Sequence, residues 1–179
     1  KQNSKIIILS HVGRPNGKVV DSLSLKPICE DLKNKLKENV KLVTKNIKEI
    51  DSKNLFTNPN EKIVMLENIR FYEKFAKILS KFGDIYVNDA FSCSHRAHAS
   101  VTKITNFIPS YCGLQMMLEI NALKKVTSDI ERPITCIIGG SKISTKINII
   151  KNLVSKFENI IIVGGMANNI LEYNGHNIG

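Results

Sequence analysis

A parallel α/β fold, a sheet covered by helices on both faces and built in two lobes joined by a helix, is what this 179-residue chain predicts. Three observations carry the prediction. Short β-branched runs recur along the chain, each followed by turn residues and then by a stretch of helical periodicity. Such alternation requires crossover helices, which pack on the sheet faces and leave the strands buried on both sides. A longer amphipathic segment then interrupts the alternation, and the pattern restarts beyond it. Hydrophobic residues make up 42% and charged residues 23%, a balance that supplies a core and excludes disorder.

Taken in order, residues 5–9 (KIIIL) read as a buried strand, followed by the turn-rich loop SHVGRPNGK. Residues 25–39 have Leu25, Ile28, Leu32 and Leu36 at helical spacing, with Ser24 as the expected cap. Residues 40–43 form the next strand and 47–55 a short helix. Residues 62–66 are a strand running into ENIRFY, and 74–82 a helix. Residues 84–87 are a strand that ends in NDAFSCSHRAHAS. The longer amphipathic stretch, LQMMLEINALKKV, is followed by the polar TSDIERP and the break at Pro133. The pattern then resumes with ITCIIGG, a helix over 147–157, and NIIIVGGMANNILEYNG. The expected organisation is one lobe over 1–115, an interlobe helix and linker over 116–130, and the start of a second lobe over 131–179. A two-stranded second sheet buries too little to be stable alone, so the chain is expected to be a piece of something longer.

Several function classes lose ground on composition. The longest apolar runs are too short to span a bilayer, and KQNSK opens without a secretory pattern, so a cytoplasmic, membrane-free protein is expected. Four scattered cysteines (Cys29, Cys93, Cys112, Cys136) without a C-x-x-C pair read as reduced thiols rather than a disulfide framework. The net charge of +10 raises nucleic acid as a partner. The lysines are spread over helix faces, however, and aromatics are only 6% with no Trp, so stacking platforms are poorly supplied. An anionic small substrate uses the same positive field.

In open parallel sheets, ligands bind beyond the carboxyl ends of the strands. Three of the four arginines, Arg14, Arg70 and Arg96, fall in the loops after the predicted strands 5–9, 62–66 and 84–87, and three of the four histidines, His11, His95 and His98, fall in these loops too. In a chain that otherwise uses Lys, the rigid guanidinium fork at these places matches carboxylate or phosphate oxygens. NDAFSCSHRAHAS alone admits a zinc site (Cys93, His95, His98, with Cys112 distant), a catalytic base or an anion clamp. Structural zinc sites use tighter paired spacings, and the convergence of arginines favours the clamp, with Arg96 binding substrate oxygen and Cys93 packing. In the second lobe, Gly139-Gly140-Ser141-Lys142 opens a helix, and Lys146 lies four residues beyond Lys142, on one face if helical. Glycines and a helix N-terminus suit nucleotide phosphates, although the Walker spacing is absent. Gly164-Gly165-Met166-Ala167 supplies a second close-approach turn. Together the two signatures point to phosphoryl transfer, chemistry that needs positioning and charge neutralisation more than a protein nucleophile.

SHVGRP, LENIRFY, VNDAFSCSHRAHAS, IIGGSKIST-K and GGMAN, in this order, closely resemble the phosphoglycerate kinase family. The resemblance spans essentially the whole chain. It implies two Rossmann-like lobes joined by a helix and hinge, and reversible phosphoryl transfer from 1,3-bisphosphoglycerate to ADP, giving 3-phosphoglycerate and ATP in glycolysis. By motif, His11, Val12, Gly13 and Arg14, with Arg70 and Arg96, are implied to bind the glycerate substrate. Gly140, Ser141, Lys142, Lys146, Gly164 and Gly165 are implied at the nucleotide, with Lys146 and Lys142 as the catalytic lysines. Mg2+ is implied with ADP or ATP, its protein ligand outside this segment, and the enzyme is implied to be a monomer. The family's first strand, with substrate-holding Asp and Asn, lies upstream of Lys1, and the rest of the nucleotide lobe lies beyond Gly179. The segment by itself is therefore expected to be inactive. The chain is also shorter than the family between Tyr72 and Phe75, and Val163 stands where the family generally has Gly. The competing reading, from another class, is a non-catalytic anion- or RNA-binding protein derived from a truncated kinase.

Overall fold

A computed structural model describes residues 4–72 and 74–178. The opening KQN of the chain, the final glycine of GHNIG, and residue 73 of the short connection after Tyr72 lie outside the described residues. The chain divides into two compact units, Lys1–Glu119 and Ile120–Gly179.

In the first unit, β1 (Ile6–Ile8), β3 (Ile63–Leu66) and β2 (Val40–Val43) form a parallel sheet in the order β1-β3-β2. Ile7 pairs with Val64 and Leu42 with Met65. β3 is central, and its side chains alternate between two cores. Val64 and Leu66 enter a cluster with Ile47, Leu55, Ile69, Phe75, Leu79, Ile104 and Ile108. Met65 points the other way, onto Leu25, Cys29 and Val40. Helical elements therefore cover both faces: α1 (Lys26–Leu36) on one, and α2 (Ala76–Leu79) with the turns over Ala99–Asn106 on the other. A second parallel pair, β4 (Tyr86–Asn88) and β5 (Ser110–Cys112), aligns Val87 with Tyr111.

The inward stripe of α1 differs from the expected one. Leu25 and Cys29 are buried and Leu32 packs on them, while Ile28 and Leu36 are 43% and 46% exposed. The small thiol of Cys29 fits against the strand, its Sγ 3.6 Å from the Val40 carbonyl, and this rotates the helix. Its cap is Leu25, not Ser24. The Ser24 hydroxyl, one residue earlier, still accepts from the Lys26 N–H at 3.2 Å. The helix ends at Leu36 because Lys37 turns left-handed, φ 53°.

Two further expected helices are shorter than their periodicity suggests. Residues 47–55 form two single 3₁₀ turns, Ile47–Glu49 and Ser52–Asn54. Asn46 and Asp51 each accept from the backbone N–H two residues on, restarting the chain as a turn each time. Within 74–82 only Ala76–Leu79 is α-helical: Lys74 is left-handed at φ 56°, and Ser80 bonds back to the Lys77 carbonyl before Gly83. The strand expected at 84–87 lies at Tyr86–Asn88, and β5 has no counterpart among the expected strands.

β5 leads into α3 (Leu114–Thr127), whose start is held by the motif that follows β4. The Asn88 carbonyl accepts from the Gly113 N–H at 2.8 Å, and Asp89 Oδ1 accepts from the Met116 N–H at 2.8 Å. A Cβ on Gly113 would lie 2.4 Å from the Asp89 carboxyl carbon, so only glycine leaves room for that carboxylate.

In the second unit, β6 (Thr135–Gly139) and β7 (Asn159–Val163) run parallel with Cys136 opposite Ile160 and Gly139 opposite Val163. Helices α4 (Ile147–Val154) and α5 (Gly165–Tyr173) follow them. The two-stranded sheet is as expected. α4 starts only at Ile147, so Lys142 lies in the loop before the helix and does not share a helical face with Lys146.

Candidate functional site: a basic cleft and a glycine-lysine turn

Because β1 and β3 are parallel and in register, the loops leaving them emerge at one edge, and hydrogen bonds join them. The Ile69 N–H donates to the Ser10 carbonyl at 3.2 Å and the Gly17 N–H to the Arg70 carbonyl at 3.3 Å. Arg70 Nη1 reaches the Gly13 carbonyl at 2.6 Å. The 3₁₀ turn Ile69–Phe71 is capped by Asn68, whose side-chain oxygen accepts from the Arg70 N–H. After β4, Asn88 arranges the third loop: Oδ1 accepts from Ala90 N–H, and Nδ2 donates to Ser94 Oγ at 3.1 Å. A π-turn over Ala99–Lys103 follows, and Tyr86 O–H fixes it by donating to the Ser100 carbonyl at 2.7 Å. Burial pushes the Tyr86 phenol up to about 12, so it stays a donor.

These three loops enclose a cleft of about 450 Å³. Arg14, Arg70 and Arg96 all line it, joined by His98, Lys74 and Lys103. No Asp or Glu is among the described residues of its lining. The charge acts on its members. Burial, then Arg96 and Arg14, lowers Arg70 from its ordinary range, an effect opposed by Cys93. Burial lowers His98, with Arg70, Arg96 and His95 adding to it. His11 is lowered by burial first, then by Arg70, His98 and Arg96. The His11 and His98 rings meet edge to face with centroids 6.4 Å apart. Arg70 Nε is buried and has no acceptor among the described residues, a condition that buried donors rarely keep without a ligand or water. A concave site with three rigid forks and no carboxylate among its described lining residues suits a compact polyanion.

The cleft brings together most of the residues expected at the substrate. Arg14, Arg70 and Arg96 share it, and His11 adjoins it through His98. Gly13 contributes its carbonyl to Arg70. Val12 turns its side chain onto the Leu25–Met65 core and gives its carbonyl to Asn68. Sequence reasoning did not single out Lys74 and Lys103, since two lysines among so many carry no signal until the chain is folded. Cys93 is buried and packs, with its Sγ 3.4 Å from the Ala90 carbonyl. Among the described residues no three His, Cys, Asp or Glu side chains are grouped as metal ligands.

The expected nucleotide residues form a second, separate arrangement. Gly140, at φ 150°, follows β6, and its carbonyl accepts from the Met166 N–H at 3.0 Å. The Lys146 ammonium donates to the Gly139 carbonyl at 2.7 Å. A Cβ on Gly140 would meet that ammonium at 2.9 Å and the Met166 sulfur at 3.4 Å. Gly164 caps α5, whose first residue is Gly165. Gly165 lies close to this turn as well, since a Cβ there would be 3.6 Å from the Gly140 carbonyl oxygen and 3.7 Å from the Ser141 Cα. Ser141 and Lys142 are exposed in the loop before α4.

The profile of the phosphoglycerate kinase family matches residues 1–179. The chain is 42% identical to a phosphoglycerate kinase of Bartonella bacilliformis over 186 aligned positions, covering all of this chain and 46% of that protein. It is 44% identical to one from Wolbachia sp. subsp. Drosophila simulans, covering 99% and 46%. Its fold superimposes on the structure of phosphoglycerate kinase from Coxiella burnetii with a TM-score of 0.85 at 33% identity, covering 99% of this chain and 46% of that one. The chain thus spans about half the length of the relatives it matches.

Proposed function

This chain belongs to the phosphoglycerate kinase family, and we propose that within a whole protein it holds phosphoglycerate and the start of the nucleotide site for reversible phosphoryl transfer between 1,3-bisphosphoglycerate and ADP. The observation that carries this reading is the cleft in which Arg14, Arg70 and Arg96 converge with no carboxylate among its described lining residues. A glycerate phosphate presents anionic oxygens at both ends, and three forks with His98 and His11 offer donors for both. In the forward reaction the acyl-phosphate P–O bond breaks, the carboxylate leaves, and a new P–O bond forms to the terminal phosphate oxygen of ADP. The protein supplies alignment and positive charge.

Gly140, Ser141, Lys142, Gly164 and Gly165 are proposed at the nucleotide phosphates. Lys146 exchanges its bond to the Gly139 carbonyl for a phosphate oxygen and, with Lys142, neutralises the transferring group. Mg2+ belongs in this reading on the phosphates of ADP or ATP, where it neutralises charge, its protein ligand lying outside residues 1–179. The lobes are proposed as 1–115 and 131–179, with 116–130 between them. A monomer working in the cytoplasm completes the proposal; no helix among the described residues is long and apolar enough to cross a membrane.

The test is a coupled assay on the whole protein with 3-phosphoglycerate, ATP and Mg2+. Turnover is expected, and Arg14→Ala, Arg70→Ala and Arg96→Ala should each weaken 3-phosphoglycerate use about tenfold to hundredfold, the range of a lost charge-assisted bond. Unchanged kinetics in all three variants would falsify the anion-site assignment. Steeply salt-dependent RNA binding without turnover would replace it with the binding-protein reading.

A further inference from the structure

Asn68 touches none of the anion-binding groups at their charged ends, yet its side chain is joined to every part of the chain that carries two of them. It is fully buried. Its Nδ2 donates to the Val12 carbonyl at 2.8 Å and to the Leu23 carbonyl at 2.9 Å, and its Oδ1 accepts from the Arg70 N–H at 3.1 Å. The amide is thereby satisfied in one orientation only, with both donors on carbonyls and the acceptor on an N–H. Val12 lies two residues before Arg14, and Gly13 between them accepts from the Arg70 guanidinium. Leu23 belongs to the segment entering α1.

The neighbouring buried carboxylate holds Asn68 in turn. Glu67 Oε1 accepts from the Asn68 N–H at 2.8 Å and from the Leu25 N–H at 2.7 Å, and Oε2 accepts from Ser24 O–H at 2.8 Å. The consecutive pair Glu67-Asn68 therefore joins the end of β3, the Arg14 loop and the start of α1 in one buried network. Such networks are rigid when every member is satisfied.

We infer that Asn68 is a positioning residue of the anion cleft, setting the spacing of the Arg14 and Arg70 guanidiniums before a ligand arrives. The inference rests on the reading of the cleft as the phosphoglycerate site. A fork held at fixed spacing recognises a ligand with two anionic ends, because the alignment is not assembled anew at each binding event. Without Asn68 the charges stay in the cleft, but their separation varies.

The experiment compares Asn68→Ala with Val40→Ala in the whole protein. Val40 is buried in the other core cluster of the same unit, none of whose members lines the cleft, so it controls for lost stability. For Asn68→Ala the KM for 3-phosphoglycerate should rise about tenfold to hundredfold, while the nucleotide KM stays within about twofold. Hydrogen exchange at the Gly17 and Ile69 amides, which bridge the two loops, should accelerate in Asn68→Ala and stay slow in Val40→Ala. A 3-phosphoglycerate KM that stays at its original value, or that rises only in step with the nucleotide KM, overturns the inference. If the whole protein turns over no 3-phosphoglycerate at all, the functional reading falls, and amide exchange alone decides the positioning role: acceleration supports it and unchanged exchange refutes it. Should Asn68→Ala fail to fold, Asn68→Asp keeps the shape and sets oxygen against the Val12 and Leu23 carbonyls, with the same expected outcomes.

Discussion

The basic cleft of the first unit and the glycine-lysine turn of the second unit, both proposed above to hold phosphate, are built from different parts. In the first, guanidinium side chains are carried on loops whose backbone groups are tied to a buried amide and a buried carboxylate, above two hydrophobic clusters. In the second, the polar groups come mainly from the backbone of a turn, with one ammonium resting on a carbonyl. Among the described residues, the buried apolar side chains lie almost entirely in the first unit; Met166 is the one in the second. The contrast teaches that a side-chain clamp needs a core to hold its spacing, whereas a turn built of backbone needs little more than permissive glycines.

The largest test of this contrast is to remove apolar volume from each unit. Val64→Ala and Met166→Ala should each cost about 2–5 kcal/mol or less according to how far the site collapses, measured by denaturant unfolding with residue-resolved exchange. Val64→Ala is expected to loosen β1, β2 and β3 and leave β6 and β7 unchanged, and Met166→Ala to do the reverse. Loosening of both units by either variant would break the comparison. Next comes Gly140→Ala, where the left-handed backbone and the 2.9 Å approach to the Lys146 ammonium should cost about 1–3 kcal/mol. It should weaken nucleotide binding while 3-phosphoglycerate binding, followed by calorimetry, keeps its affinity.

A smaller effect concerns protons. His11 and His98 are lowered from the ordinary value of 6.5, both by burial first. Their folded forms take up protons less readily than the unfolded chain, so stability is full above about 6.5 and is lost as pH falls from there towards the lowered values. A bound oxyanion reverses the sign by favouring the charged imidazoles. NMR titration should show both histidines moving up on adding 3-phosphoglycerate, and no movement would remove them from the site. The smallest effect is expected at the exposed Arg132–Glu158 pair of the second unit: Arg132→Ala should change stability by less than about 1 kcal/mol.

Much of this was legible in the sequence because parallel strands declare themselves twice, by β-branched runs and by the residues that follow them. Arg14 and Arg70 could be grouped from the sequence, since their loops leave neighbouring parallel strands of one sheet, whereas Arg96 follows β4 of the second strand pair and joins them through packing. What stayed hidden depended on packing or on local competition. Cys29 replaced Ile28 as the inward residue of α1 because a thiol fits closer to β2 than a branched side chain. The helix expected over 47–55 gave way to two Asx-capped turns, and local periodicity does not report that competition. Lys142 and Lys146 looked like helical neighbours, but α4 begins only after them. Asn68 was visible as a letter in LENIRFY, while its three bonds involve partners up to 56 residues away.

The junction between Asp89 and Gly113 has a consequence for how this protein can change over generations. The carboxylate occupies the space that any side chain at 113 would need, and it holds the first turn of α3. A substitution at 113 displaces Asp89, and a substitution at 89 leaves a helix start without its acceptor and a glycine without its reason. Positions 89 and 113 are therefore inherited as one character, and a lineage that alters either is expected to record a matching change at the other.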